Sequence, residues 1–160
     1  MNKKFFFLSI IFIFLSGCGF EPMLKNFDMS KLNVKKINYS GKNDLNYLIK
    51  NYLNIDEKNN VNGLVVNLTV TESVSSATKN SAGITTEEDL TINITMNVVD
   101  SENKNLLTDT LSAAKRLTVS NNLSSDEETR RNERNNLIRN LTQKIKFKLQ
   151  LVAKQNQTKK

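Results

Sequence analysis

The chain has a single cysteine, Cys18, which two small residues, Ser16 and Gly17, precede. A thiol is the only side chain that forms a thioether, and small neighbours let a peptidase approach the backbone, so this position suits covalent attachment of a lipid. One cysteine excludes an internal disulfide and a Cys-rich zinc site. The absence of histidine from the sequence excludes a Ser-His-Asp triad, a His-based metal centre and an imidazole acid or base.

Residues 1–17 have the pattern of a secretory signal. Two lysines form a positive start, and the stretch 5–15 that follows is apolar with one exception. This stretch is shorter than the roughly 20 apolar residues that a membrane-spanning helix needs. The sequence 15–18, Leu-Ser-Gly-Cys, resembles the bacterial lipobox, which implies that Cys18 receives diacylglycerol, that the signal is cut before it and that the new N-terminus is acylated. A free cysteine after an ordinary signal and an uncleaved anchor are the alternatives.

Positive charge exceeds negative charge, with a formal net charge of +7, and this favours an anionic partner. Six basic residues are candidate contacts, either with an anionic ligand or with a partner protein: Lys79, Lys115, Arg116, Arg130, Arg131 and Arg134. Lys115 is in phase with the apolar residues of its predicted strand, although a local bulge or a side chain that snorkels at the sheet edge would also explain it. Lys79 also fits an ordinary solvated loop lysine, and the three arginines between 130 and 134 fit an exposed, salt-bridged helix face.

The residue inventory does not support catalysis. Carboxylates cluster at 87–89 and 127–128, where solvated loops and helix caps explain them. The sequence has no Gly-rich phosphate loop, no metal-ligand spacing and no G-x-S-x-G motif. We therefore expect a protein that is not an enzyme and that uses no metal and no cofactor. Nucleic acid is not an expected partner, because the basic residues are not interleaved with aromatic ones and export would keep the protein away from it.

Hydrophobic periodicity predicts six elements in the order β-α-β-β-β-α. The predicted elements are strand 31–39, helix 44–53, strands 64–74, 90–98 and 106–119, and helix 126–153. A change of parity at 35–36 predicts a β-bulge in the first strand. Asn43 or Asp44 is the expected cap of the first helix, and 125–128 has the form of a capping box for the second. The small-residue stretch 75–86 is expected to be a connection.

The strands alternate apolar residues with Thr, Asn and Ser, which is typical of a sheet with one covered face and one open, polar face. The sequence therefore predicts an α+β fold with a four-stranded, mostly antiparallel sheet and two helices packed on one face. The expected division of the chain is a lipoprotein signal peptide (1–17), a lipidated tether (18–30), an α+β domain (31–153) and a basic disordered tail (154–160).

Four features together resemble the LptE family, the lipoprotein component of the outer-membrane lipopolysaccharide translocon. The opening 18–23, Cys-Gly-Phe-Glu-Pro-Met, is similar to the Cys-Gly-Phe-x-Pro-Leu start common in that family. A strand followed at once by a helix, three alternating strands, and a closing helix that begins with many charges complete the similarity. The resemblance covers the whole mature chain in order and length.

The resemblance implies a two-helix, four-stranded sandwich that sits as a plug inside an LptD-type β-barrel, assists folding of that barrel and helps deliver lipopolysaccharide to the cell surface. The implied partners are the barrel, lipopolysaccharide and outer-membrane lipid through acylated Cys18. The implied location is the periplasmic side of the outer membrane of a Gram-negative bacterium, with which Gly19 is compatible. The alternative is a free-standing lipoprotein that binds a lipid or other ligand for a transport or envelope-maintenance system. An envelope hydrolase is a third interpretation that the residue inventory disfavours.

Overall fold

A computed structural model describes residues 32–58 and 60–158. The elements of this part of the chain are β1 (Val34–Gly41), α1 (Asn43–Leu53), β2 (Leu64–Lys79), β3 (Thr85–Val99), β4 (Asn105–Thr118) and α2 (Leu123–Thr158). Their order agrees with the prediction. The predicted signal, Cys18 and the tether 18–30 lie outside the described residues.

The four strands form one sheet in the order β1-β2-β3-β4. The strands β2, β3 and β4 pair antiparallel through short turns. In contrast, β1 pairs with β2 in parallel, because α1 carries the chain back along the sheet, as a parallel pair requires. The predicted α+β class and mostly antiparallel sheet are confirmed.

The core lies between one face of the sheet and the two helices. The helix α1 buries Leu45, Ile49 and Leu53. The second half of α2 contributes Ile138, Leu141, Ile145 and Leu149, all fully buried. Burial of each such side chain stabilises the fold by about 1.5–3 kcal/mol. The covered face of the sheet and these two helix stripes therefore supply most of the driving force for folding.

The predicted β-bulge in the first strand is confirmed, because the register with β2 shifts between Val34 and Lys36. Gly63 lets the start of β2 pass close to the backbone of this bulge. A Cβ atom added at Gly63 would lie 2.8 Å from the backbone nitrogen of Lys35. Only glycine allows such a close approach of two backbone segments.

The hairpin between β2 and β3 is longer than predicted, since β2 continues to Lys79 and β3 begins at Thr85. The stretch 75–86 is thus mostly strand, and only 80–84 form the turn. There Asn80 Oδ1 accepts hydrogen bonds from the backbone N–H groups of Ala82 and Ile84, both at 3.0 Å, and Gly83 has a φ of 76°. Residues 75–79 are exposed, so the apolar alternation that marks a strand is absent there.

The cap of α1 differs from the prediction. Lys42, rather than Asn43 or Asp44, is the N-cap residue, and its side chain makes no capping hydrogen bond. At the other end Asn54 adopts the left-handed conformation, and its N–H donates to the carbonyl of Lys50. Asparagine is one of the few residues that tolerate this conformation.

The predicted capping box 125–128 is wrong, because α2 begins at Leu123. Asn122 Oδ1 accepts a hydrogen bond from the N–H of Ser125 at 3.3 Å and so caps the helix. Asp126 instead accepts from the N–H and the hydroxyl of Ser120, both at 2.8 Å. This carboxylate thereby links the segment after β4 to the first turn of α2.

The helix α2 continues to Thr158, five residues beyond its predicted end. The range 154–158, predicted as the start of a disordered tail, is therefore helical. This range contains no Gly or Pro, and its Lys and Gln residues favour helix. Without a stop signal in the sequence, the helix simply runs on.

Candidate functional site

The open face of the sheet carries a ladder of side-chain hydrogen bonds that crosses all four strands. Asn38 on β1 donates to Asn67 on β2 at 2.8 Å, and Asn67 donates to Asn97 on β3 at 3.2 Å. Asn97 in turn donates to the Thr108 hydroxyl on β4 at 2.9 Å. These residues are direct neighbours in the strand register. Short amides that bond to one another keep this face ordered and hydrated.

The rows on the hairpin side of this ladder are also neutral and polar. Thr95 and Thr110 share a hydrogen bond of 3.1 Å across β3 and β4. Further along the hairpin the outward positions of β2, β3 and β4 are occupied by Thr, Ser, Asn and Ala. From the ladder toward the hairpin, the open face is therefore an uncharged, hydrogen-bonding surface of short side chains. On the other side of the ladder, Lys36 of β1 lies opposite Val65 and is exposed.

Toward the hairpin, charge returns to the open face beyond these rows, where Arg116 lies directly opposite Asp89. The guanidinium donates to both carboxylate oxygens, at 2.9 and 3.1 Å. These hydrogen bonds hold the pKa of Asp89 below and the pKa of Arg116 above their ordinary values. A guanidinium already bound by a carboxylate is a weaker site for a phosphate, so Arg116 is less available to an anionic ligand than an unpaired arginine would be.

Arg130 turns toward the sheet and not toward solvent. Its Nη2 donates to Oε2 of Glu88 on β3 at 2.8 Å, and its Nε donates to the other Glu88 oxygen. Its Nη1 donates to Glu127 on the same helix at 3.0 Å. The Glu88 hydrogen bond is the main cause of a raised Arg130 pKa. This predicted contact residue is thus engaged inside the domain.

Arg134 makes a second ion pair between α2 and the hairpin. Its Nη2 and Nε lie 2.8 and 3.0 Å from Oε1 of Glu72 on β2. The Glu72 side chain is only 4% exposed, and its other oxygen lies 3.7 Å from Nζ of Lys42. Glu72 therefore draws together the start of α1 and the first half of α2.

Three of the six candidates remain open to a ligand: Lys79, Lys115 and Arg131 are exposed, and within the described chain none of them has a carboxylate partner. They do not form one cluster. Lys79 lies opposite Thr85, whereas Lys115 lies opposite Leu90. Five residues along β3 and two strand spacings separate these levels by about 19 Å. Contacts through these side chains would be dispersed over the surface.

Lys115 is in register with its neighbours, because the β3–β4 pairing is regular there. The bulge considered from the sequence is therefore absent at this position. The strand β4 is an edge of the sheet, so the lysine on the covered face reaches solvent past the edge, as a snorkelling side chain does.

A groove of about 900 Å³ runs between the β4 edge and α2. Ser112, Ala113 and Ala114 form its strand side, and Leu137 and Phe147 are among its helix residues. Lys148 borders it but is held by Asp109 at 2.6 Å. This groove was not predicted from the sequence, because it arises where the small side chains of β4 leave space beside the helix.

Three carboxylates on the covered face were not predicted to pair with α2: Glu72, Glu88 and Asp109. The expectation that Glu88 belongs to a solvated loop is wrong, because it lies within β3 and is buried. Each is in phase with apolar residues of its strand, and each binds a basic residue of α2. A charged residue within an apolar alternation was the available signal. Its partner could not be found without the position of α2.

Two further observations bear on the chemistry. Within residues 32–58 and 60–158, no group of three or more carboxylate or thiol side chains is placed to hold a metal ion. No helix in that part of the chain combines the length and the apolar character needed to cross a membrane.

The fold is shared with solved structures of bacterial lipoproteins. Rare lipoprotein B from Shewanella oneidensis superimposes with a TM-score of 0.57 at 12% identity, over 77% of this chain and 97% of that one. A minor lipoprotein from Acinetobacter baumannii superimposes with a TM-score of 0.53 at 21% identity, over 78% of this chain and 97% of that one. Lipoprotein B from Nitrosomonas europaea superimposes with a TM-score of 0.56 at 10% identity, over 74% of this chain and 84% of that one. No protein-family model matches the sequence, and neither does any curated protein. Similarity at these identities establishes a common fold, and the predicted resemblance in fold is confirmed.

Proposed function

We propose that the protein is a lipid-anchored, non-enzymatic outer-membrane lipoprotein that acts, like LptE, as the plug and assembly partner of an LptD-type β-barrel in lipopolysaccharide insertion. The observation that carries the proposal is the open face of the sheet. A plug must present a surface that is polar yet free of strong charge to the hydrated inner wall of a large barrel. The Asn and Thr rows of this face meet that requirement, and the fold is that of known bacterial lipoproteins.

The lipid anchor sets where this surface acts. Acylation of Cys18, which remains a prediction from the sequence, would hold the domain at the inner leaflet, since each buried CH₂ contributes about 0.8 kcal/mol. The predicted tether 18–30 would then let the domain enter the barrel from the periplasmic side.

Lipopolysaccharide contact is assigned to the unpaired cations. Lys79, Lys115 and Arg131 are exposed and dispersed, so each offers a weak contact to a phosphate. A ligand that has to be passed on is better served by separate weak contacts than by one tight site. Arg116, Arg130 and Arg134 are less suited to this role because carboxylates already bind them.

The test is affinity purification of the tagged, full-length chain from envelope membranes in mild detergent, with mass spectrometry of co-purifying proteins. We expect a stoichiometric outer-membrane barrel. The variant Thr69→Lys places a charge in the middle of the open face and should reduce recovery of the barrel at least tenfold. Asn132→Lys adds the same charge on the exposed side of α2 and should leave recovery unchanged.

Recovery of the lipoprotein alone, under conditions that preserve other barrel complexes, would contradict the proposal. It would favour the free-standing ligand-binding lipoprotein instead. Equal recovery of the barrel with Thr69→Lys and Asn132→Lys would keep the partner but remove the open face as the contact surface.

A further inference from the structure

Among the described residues, the outer edge of β4 has no strand beside it. The strand pairs with β3 on one side, and no described element pairs with its other side. Its middle consists of small residues, Ser112, Ala113 and Ala114. An edge strand with free N–H and C=O groups is a template for another strand, and small side chains let a second backbone approach.

The sequence of β4 is complementary to itself about Ser112. When two β4 strands run antiparallel with Ser112 opposite its own copy, Asp109 lies opposite Lys115 of the second copy, and Leu111 lies opposite Ala113. All four positions are on the covered face of the sheet. We propose that two copies of this chain pair antiparallel through β4, centred on Ser112, and form one continuous eight-stranded sheet.

Charge complementarity selects a second copy as the occupant of this edge. A lysine on the covered face of an edge strand ordinarily prevents strand addition, because an arriving apolar side chain would have to bury it. In the symmetric pair each Lys115 lies opposite Asp109 of the other copy. Asp109 already pairs with Lys148 of its own chain at 2.6 Å, but its side chain is still 31% exposed, so Lys115 would join this ion pair from across the strands. Both charges occur twice, once on each side of the two-fold axis.

The groove beside β4 provides the space that this pairing needs. A strand added at about 4.8 Å from β4 places its side chains under the outer side of α2. The groove there measures about 900 Å³ and includes Leu137 and Phe147. The small side chains of Ala113 and Ala114 at this edge leave room for the backbone of the second copy. This pairing concerns the lipoprotein by itself and does not depend on the proposed function.

The test uses single cysteines in the full-length, membrane-extracted protein under mild oxidation. Ser112→Cys places two thiols opposite each other at the axis, so we expect a disulfide-linked dimer. Thr110→Cys is the matched control, since it lies on the same strand and face and is also exposed. Its two copies would be about 14 Å apart along the strands, too far for a disulfide. We expect at least tenfold more linked dimer for Ser112→Cys. The unsubstituted chain reports any linkage through Cys18.

A second variant tests the charges without a cross-link. Lys115 is exposed and has no ion pair among the described residues, so Lys115→Asp should leave the domain folded. The substitution would place two carboxylates, at positions 109 and 115, opposite each other at both symmetric positions of the dimer. The dissociation constant of the dimer should therefore rise at least tenfold. Light scattering in detergent, on protein separated from any co-purifying barrel, should give twice the chain mass for the parent protein and the single mass for Lys115→Asp at the same concentration.

Four results would overturn the proposal. They are equal linkage through residues 110 and 112, stronger linkage through Ala114→Cys, a disulfide from residue 112 to a different protein, and a parent chain of single mass at every concentration. Equal linkage through 110 and 112, or stronger linkage through 114, would reject the register centred on Ser112. A disulfide to a different protein would show that another polypeptide binds this edge, and a single mass at every concentration would reject pairing. None of them depends on whether a barrel co-purifies.

Discussion

Glu72 shows how a single residue sets the character of a whole region. It occupies an apolar position in the alternation of β2, and its carboxylate is almost fully removed from water. A carboxylate in that environment is tolerated only when it is paired, because desolvation costs several kcal/mol. Arg134 provides the pairing, with Lys42 nearby. The polar first half of α2 is therefore attached to the hairpin by charge where the second half is attached by apolar packing.

We expect Arg134→Leu to lower the free energy of unfolding by about 3 kcal/mol, because it leaves Glu72 buried and without its hydrogen bonds. The double variant Glu72→Leu/Arg134→Leu should recover most of this loss, since an apolar pair does not have to be desolvated as ions. Urea unfolding of the single and double variants measures both values.

Arg131→Leu is the matched control for this experiment, because Arg131 is exposed and has no carboxylate partner among the described residues. Its effect should stay within about 0.5 kcal/mol. A double variant as unstable as Arg134→Leu alone would contradict the assignment.

At the level of elements, the sequence predicted what periodicity controls. The alternating apolar residues of β3 and the apolar stripe of α1 predicted both elements correctly, together with their order along the chain. Periodicity failed at 75–79, where both faces of the hairpin are exposed and apolar residues are not required. It also failed at the start of α2, where the choice between Asn122 and Ser125 as the cap depends on where β4 ends.

Among the candidate contact residues, the sequence could not separate paired from unpaired cations. The partners of Arg130 and Arg134 lie 42 and 62 residues away along the chain. Such pairings follow from strand register and helix position, which a pattern in one segment does not contain. Cys18 was singled out by local spacing alone, and its lipidation stays a prediction because it lies outside the described residues.

Asn122→Ala should destabilise the protein by about 1 kcal/mol, because the N–H of Ser125 loses its capping acceptor. Ser125→Ala should change the free energy of unfolding by less than about 0.5 kcal/mol, as expected for a surface position without such a bond. Chemical unfolding of the two variants decides between them. A larger loss for Ser125→Ala would restore the capping box that the sequence suggested.

On the scale of the whole molecule, carboxylates tie separate elements together in several places. The pKa of Asp89 is lowered by Arg116, that of Asp109 by Lys148, and that of Asp126 by the N–H and hydroxyl of Ser120. These contacts join β3 to β4, β4 to α2, and the segment after β4 to the start of α2. Protonation of these groups therefore weakens contacts between these elements.

This arrangement predicts acid unfolding. A carboxylate with a lowered pKa in the folded state stabilises the protein above its ordinary pKa of about 4, and this contribution is lost as the pH falls through the lowered value. The free energy of unfolding should thus be nearly constant from pH 7 to about 5 and should decrease below about 4.

The variant Asp126→Asn tests this dependence, because its amide keeps an acceptor oxygen and does not titrate in this range. Urea midpoints measured between pH 7 and 2 should fall less steeply for the variant than for the parent. Parallel curves for the two proteins would show that Asp126 does not contribute to the acid transition.

The limited reach of β1 has a further consequence for motion. The strand β1 pairs with β2 only as far as Val70, so within residues 32–58 and 60–158 no strand lies beyond β2 along the outer part of the β2–β3 hairpin. On its covered face this part is held by two ion pairs to α2, together with Leu90 and Leu117. Regions with fewer apolar contacts open at lower free energy than the rest of a domain. The hairpin tip and the first turns of α2 should therefore open as one cooperative unit, exchanging their amide hydrogens while the apolar half of the molecule stays closed.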